Sequence, residues 1–113
     1  MAKKIVIDAG HGGDDPGASD NGIIEKDLTL KISKYMKNRF DELGIQNSIT
    51  RTDDTTLNPT DRVKKVLGFY GDGSDVIVLS NHINAGGGEF TYHYIIWLGI
   101  KTAVFKQLII KLK

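Results

Sequence analysis

The chain alternates short β-branched runs with stretches of helical periodicity, and this alternation limits the folds open to it. Ile5 to Asp8 reads as a buried strand followed by turn residues. From Glu25 to Leu43 the apolar residues Leu28, Ile32, Tyr35, Met36, Phe40 and Leu43 recur at helical spacing, and Gly44 supplies the stop. Ile45 to Arg51 reads as a second strand, polar enough at Gln46, Asn47 and Ser48 to lie at or near a sheet edge. Asn58-Pro59 gives an N-cap with proline at the first helical position. The helix it opens carries Val63, Val66, Leu67 and Tyr70 on one face and stops by Gly71 or Gly73. Asp75 to Ser80 is the third strand. A β-α-β-α-β order with helix-length crossovers predicts a three-layer α/β fold, a parallel-type central sheet flanked by helices. A length of 113 residues suits one domain.

The first and third strands each run into a histidine. Gly10-His11-Gly12-Gly13 follows one, and Ser80-Asn81-His82 ends the other. Strand ends in an open parallel sheet feed one crevice, where ligands bind. Glu25, at the start of the first helix, supplies a carboxylate between them in the chain. Two imidazoles and a carboxylate are the protein ligands of a catalytic zinc site, which keeps a fourth position for water. The same set also serves iron(II). The chain has no cysteine, so any metal must take nitrogen and oxygen ligands. Asp14 and Asp15 are rival carboxylates on the glycine-rich loop; His93, between Tyr92 and Tyr94, is a rival imidazole expected not to ligate.

Each residue alone has a plainer reading. A histidine after a strand is commonly a hydrogen-bonded structural residue, and Glu25 would meet the helix dipole. Gly10 to Gly22 holds five glycines and Pro16, enough for a loop with no further role. That loop lacks the last glycine of G-x-G-x-x-G and no Walker lysine follows it, so the nucleotide signal is weak. The coincidence of two histidines at inferred strand ends favours the metal. A net charge of +1 argues against a dedicated nucleic-acid binder. The N-terminus lacks the apolar stretch and cleavage site of a signal peptide. No window approaches the roughly 20 apolar residues of a membrane-spanning helix.

The run from Ile7 through Gly10-His11-Gly12-Gly13-Asp14-Asp15-Pro16-Gly17 to Ala18, then Glu25, then Ser80-Asn81-His82-Ile83-Asn84-Ala85, closely resembles the zinc-dependent N-acetylmuramoyl-L-alanine amidases. These are cell-wall hydrolases found as bacterial autolysins and as phage or prophage endolysins. Thr50-Arg51-Thr52-Asp53, with Leu57 and Arg62, resembles a further stretch of that family between the two ends. The likeness covers residues 4 to about 88. It implies zinc held by His11, Glu25 and His82, with Asn84 near the metal as an outer partner of the ligands or a substrate contact. The implied reaction is hydrolysis of the amide joining N-acetylmuramic acid to L-alanine in peptidoglycan, at the cell wall after export or lysis-linked release.

Beyond Glu89 the resemblance ends. Family members continue to a late glutamate that acts as general base, whereas residues 90–113 contain no Asp or Glu, four lysines and five of the nine aromatic residues. The sequence thus divides into the N-terminal part of an amidase domain, 1–89, and a tail, 90–113, as in a domain cut short with an unrelated end and a sheet incomplete on its C-terminal side. Glu89, the one acidic residue after His82, is a weak candidate for the base and is expected to be structural or solvent-exposed. Two further readings stand beside the hydrolase: a non-catalytic zinc-binding remnant or muropeptide-binding module, and a membrane-surface protein whose tail meets lipid through Trp97, its aliphatic residues and its lysines.

Overall fold

The computed structural model describes the backbone of residues 2–20, 22–86, 89–98 and 108–112, and the side chains of those up to residue 83. In chain order the elements are β1 (Lys4–Ala9), β2 (Ser19–Asp20), β3 (Ile23–Ile24), α1 (Glu25–Glu42), β4 (Asn47–Ile49), α2 (Pro59–Tyr70), β5 (Val76–Gly86), β6 (Glu89–Leu98) and β7 (Leu108–Leu112). Five strands form one sheet in the order β4-β1-β5-β6-β7, and β2 pairs with β3 in a separate two-stranded ribbon. The β4-β1-β5 portion is parallel, with Ile5 opposite Asn47 and Ile77, so the fold is α/β as the alternation predicts. β4 lies at an edge, in keeping with its polar residues.

Strict alternation along β1 and β5 builds a core on each face of the sheet. Val6, Val76 and Val78 pack with Val66 of α2 and, around them, Phe69 and Tyr70. Ile5, Ile7 and Ile49 face the other way, against Met36, Phe40, Ile45, Ile77 and Leu79. Side chains on a strand point alternately to opposite faces, so one sheet divides the two helices into outer layers.

Three expected helix contacts are not made. Tyr35, Leu43 and Val63 are 73%, 54% and 55% exposed. The face of α1 that meets the sheet runs through Glu25, Thr29 and Ser33, all buried, and continues with Met36 and Phe40. Polar residues occupy the first half of that stripe because they satisfy polar groups beneath it, described below. In α2 the inward spacing is Arg62, Val66, Phe69 and Tyr70, and Val63 stands at the exposed margin of that stripe. The caps follow the sequence: the Asn58 side chain accepts from the Asp61 amide, Pro59 is the first helical residue, and Gly71 ends the helix with φ of 79°.

β5 outruns the expected Ser80, continuing to Gly86, and β6 then pairs with it antiparallel from Gly86 opposite Glu89 to Ile77 opposite Leu98. Only residues 87 and 88 lie between these strands. Parallel strands need a crossover of a dozen or more residues, so so short a link forces the reversal. The sheet is therefore mixed, with β7 antiparallel at its far edge. The expected boundary after residue 89 falls at the start of β6, whose backbone belongs to the same sheet as β1 and β5.

Candidate metal centre

β1 ends at Ala9 while β5 runs on, so the edge of β5 beyond Asn81 is open on that side. The Gly10 amide makes one more ladder bond to the Asn81 carbonyl, at 3.1 Å. The chain then leaves the sheet through His11, the one non-glycine residue with positive φ among those described, at 63°. Such a conformation is uncommon outside glycine and collects at functional sites. The next amide available on the β5 edge, that of Ile83, donates to Glu25 Oε2 at 2.8 Å. Glu25 Oε1 accepts from the Ala18 amide at 2.9 Å. Both carboxylate oxygens thus hold backbone donors, which explains why a glutamate only 5% exposed opens α1.

The same Oε2 atom lies 3.0 Å from His11 Nε2 and 3.4 Å from His82 Nδ1. A tetrahedral zinc with nitrogen and oxygen ligands separates its donor atoms by about 3.3 Å. One donor atom from each of His11, Glu25 and His82 can be chosen so that all lie within 4.8 Å of one another. The imidazoles meet edge to face, their centroids 5.2 Å apart and planes at 86°. Among the described residues the titratable side chains facing Glu25 are these two histidines, and no lysine or arginine pairs with it. A buried carboxylate facing two imidazole nitrogens is a donor set that fits a divalent cation.

Two glycines make room for this cluster. A Cβ on Gly10 would stand 2.6 Å from the Asn81 carbonyl oxygen and 2.7 Å from His82 Cε1. One on Gly17, whose φ is 70°, would stand 2.7 Å from both Glu25 Oε1 and His11 Cδ2.

The loop bearing His11 is held by two guanidinium groups. Arg51, 2% exposed, donates to the carbonyls of Ala9 at 3.2 Å, Gly10 at 2.9 Å and Lys26 at 2.8 Å. Arg62 donates from Nη1 to Ala9 O at 2.8 Å and from Nη2 to His11 O at 2.8 Å. Its Nη1 also pairs with Asp8 Oδ1 at 2.6 Å. The planar five-donor fork suits this work, in which neighbouring carbonyls are bridged by one side chain. From α1, Thr29 Oγ1 donates to Gly10 O at 2.7 Å and Ser33 Oγ accepts from Asn81 Nδ2 at 2.9 Å. The buried polar stripe of α1 thus meets the end of β1 and the middle of β5.

His11 Nδ1 lies 2.8 Å from Asp15 Oδ2. That hydrogen bond is the chief reason the Asp15 carboxyl titrates below its ordinary range. Asp15 therefore supports the imidazole from the side away from Glu25. Asp14 is exposed, and its amide donates to Thr56 Oγ1; its carboxylate does not join the cluster. At His82, burial is the chief cause that lowers the imidazole pKa, with the nearby Asp8 carboxylate opposing. His93 holds the register position opposite His82 on β6. Asn84 and Glu89 lie on β5 and β6, and the side chains of all three fall outside the described residues. Sequence reasoning passed over Asp8, Thr29, Ser33 and Ser80. Ser80 carried one available signal, since it lies two residues before His82 and so on the same strand face.

The chain as a whole is similar to known proteins. The family model described as N-acetylmuramoyl-L-alanine amidase matches residues 5–101, and so spans all of β6 and passes the expected limit of the likeness near residue 88. The sporulation-specific N-acetylmuramoyl-L-alanine amidase of Bacillus subtilis (strain 168) is 38% identical over 96 residues, 81% of this chain and 35% of its own length. The endolysin of Bacillus phage SPP1 is 39% identical over 99 residues, 84% of this chain and 35% of its own. The crystal structure of N-acetylmuramoyl-L-alanine amidase from Clostridium difficile 630 superposes with a TM-score of 0.66 at 34% identity, covering 78% of this chain and 47% of the other. The chain spans less than half the length of each of these relatives.

Proposed function

The chain belongs to the N-acetylmuramoyl-L-alanine amidase family, and from that premise we propose that it carries the metal-binding half of a peptidoglycan amidase site. The substrate is the amide between the lactyl group of N-acetylmuramic acid and L-alanine, and the place of action is the bacterial cell wall. The ligands are His11 through Nε2, Glu25 through Oε2 and His82 through Nδ1. The observation that carries this reading is the convergence of the two ring nitrogens on one buried carboxylate oxygen. Zinc, when bound, supplies Lewis-acid polarisation of the scissile carbonyl and activation of a water. The protein contributes orientation. Asp15 fixes His11, the Ile83 and Ala18 amides fix Glu25, and Arg51 and Arg62 fix the loop on which His11 stands. Asn84, two residues past His82, is proposed as a substrate contact.

Turnover by the 113-residue chain alone is expected to be weak. All three proposed ligands precede residue 83, but residues 83–113 offer one acidic residue, Glu89, for proton transfer to the leaving amine. A positioned acid or base is commonly worth about 10²–10⁴-fold in rate. Metal analysis and release of soluble fragments from purified cell wall test the two halves of the proposal separately. We expect about one zinc per chain, removed by chelator and strongly weakened by His11→Ala, Glu25→Ala or His82→Ala. Full zinc content in all three variants would sink the ligand assignment. Robust fragment release, abolished by Glu89→Gln, would instead make Glu89 the base. Metal binding with no release of fragments is the result that a non-catalytic zinc-binding or muropeptide-binding module would give, and muropeptide binding in the absence of cleavage separates that reading from a merely slow enzyme.

A further inference from the structure

We propose that Ser80 and Asp8 form a positioning pair that fixes the tautomer of His82, placing its ring proton on Nε2 and leaving the Nδ1 lone pair for the metal. The proposal rests on the metal-site reading above and adds residues that the reading does not use.

Asp8 and Ser80 are register partners across β1 and β5. Ser80 and His82 share a face of β5, because they are two residues apart. The backbone alone therefore lines up three side chains beside the site. Asp8 is 6% exposed and its two oxygens are occupied: Oδ1 accepts from Arg62 Nη1 at 2.6 Å and Thr50 Oγ1 at 3.0 Å, and Oδ2 accepts from Ser80 Oγ at 2.6 Å. Ser80, also 6% exposed, lies 3.1 Å from His82 Nε2.

The polarity of this line follows from counting protons. A carboxylate only accepts, so the single hydroxyl proton of Ser80 is committed to Asp8. Toward His82 the serine oxygen can then only accept, which requires an N–H at Nε2. A neutral imidazole protonated at Nε2 has its lone pair on Nδ1, the atom that faces Glu25 Oε2. His11 is fixed in the opposite sense. Asp15 accepts at its Nδ1, which leaves the Nε2 lone pair toward the same carboxylate. The two histidines thus ligate through different ring nitrogens, each backed by its own carboxylate. For His82 that carboxylate acts through a serine. Outer partners of this kind set ring orientation and raise ligand basicity.

The test begins with the metal-free, unsubstituted 113-residue chain, so it needs no variant to fold. Long-range proton–nitrogen NMR above the titration of the histidines should show His82 protonated at Nε2 and His11 at Nδ1. A proton on His82 Nδ1 would overturn the proposal. In Ser80→Ala the His82 tautomer should become mixed, and zinc affinity, read by competition with a chromophoric chelator, should fall by about 10–100-fold. Ser80→Thr keeps the hydroxyl and should restore both readouts to within a few-fold. Equal zinc affinity in Ser80→Ala and the unsubstituted chain, with binding abolished in His82→Ala, would defeat the positioning pair while the metal reading stands. Equal affinity in all three would defeat both.

Discussion

His11 holds a backbone conformation that most residues avoid, and the site depends on keeping it there. The compensation is visible in the carbonyls of Ala9, Gly10 and His11, each of which accepts from Arg51 or Arg62. Gly10 plays a different part, because it is a matter of space. Its missing Cβ is where the His82 ring and the Asn81 carbonyl come closest. Gly10→Ala must therefore push backbone or ring aside, and overpacking of this kind costs about 1–3 kcal/mol. The expected result is a lower urea midpoint together with weaker zinc binding; unchanged zinc affinity would show that the ring does not need this approach. His82 also sets a pH dependence for the metal-free protein. Burial lowers its pKa below that of the unfolded chain, where histidine titrates near about 6.5. As the pH falls through that value the unfolded state takes up the proton first, so stability is full above it, declines below it, and levels off under the folded value. Thermal unfolding between pH 8 and 5 should show this decline, and His82→Gln should remove its share.

At the scale of elements, the two helices make separable predictions. Asn58→Ala removes the cap that accepts from the Asp61 amide and should cost about 1 kcal/mol. Gly68, within α2, has nothing within 4 Å of a would-be Cβ. Gly68→Ala should therefore stabilise the chain by about 0.5–1 kcal/mol. Denaturant titration of both variants checks the pair of signs. These caps and stops were legible in the sequence because proline, asparagine and glycine act through local backbone geometry. β1 and β4 were legible as short strand-like runs bounded by turn residues, and His11, Glu25 and His82 were legible from their places after strands and at a helix start, as a candidate set that the structure brings together. The inward face of α1 was not. Counting apolar residues put Tyr35 and Leu43 inside, whereas Thr29 and Ser33 are the residues with no exposed surface. A buried threonine or serine looks like a surface residue until its partners, Gly10 O and Asn81 Nδ2, are known. Asp8 and Ser80 escaped notice likewise, since their value lies in a register between strands that the sequence does not display. The antiparallel return of β6 follows from the short link after Gly86; Glu89-Phe90-Thr91-Tyr92-His93-Tyr94 alternates polar and aromatic residues at the period of a strand, but that pattern does not carry the direction of pairing.

Across the whole molecule, the Asp8 carboxylate draws its three side-chain donors from positions 42, 54 and 72 residues away. Glu25 likewise reaches Ile83 across 58 residues. β1, α1, α2 and β5 must all be docked before those bonds can exist, so the ion has no complete cage on any partly assembled chain. This fixes where zinc can act in time. Loop closures of such length are made late on the way to the native state, and interactions absent from the transition state alter unfolding rather than folding. Zinc at saturating concentration should therefore leave the refolding rate nearly unchanged and slow unfolding by the full factor of its stabilisation, as read from stopped-flow traces with zinc and with chelator. Faster refolding in zinc would mean that the ion gathers the strands itself. On the expected result the metal serves as a latch, closing on a chain that has already found its fold and setting how long it stays there.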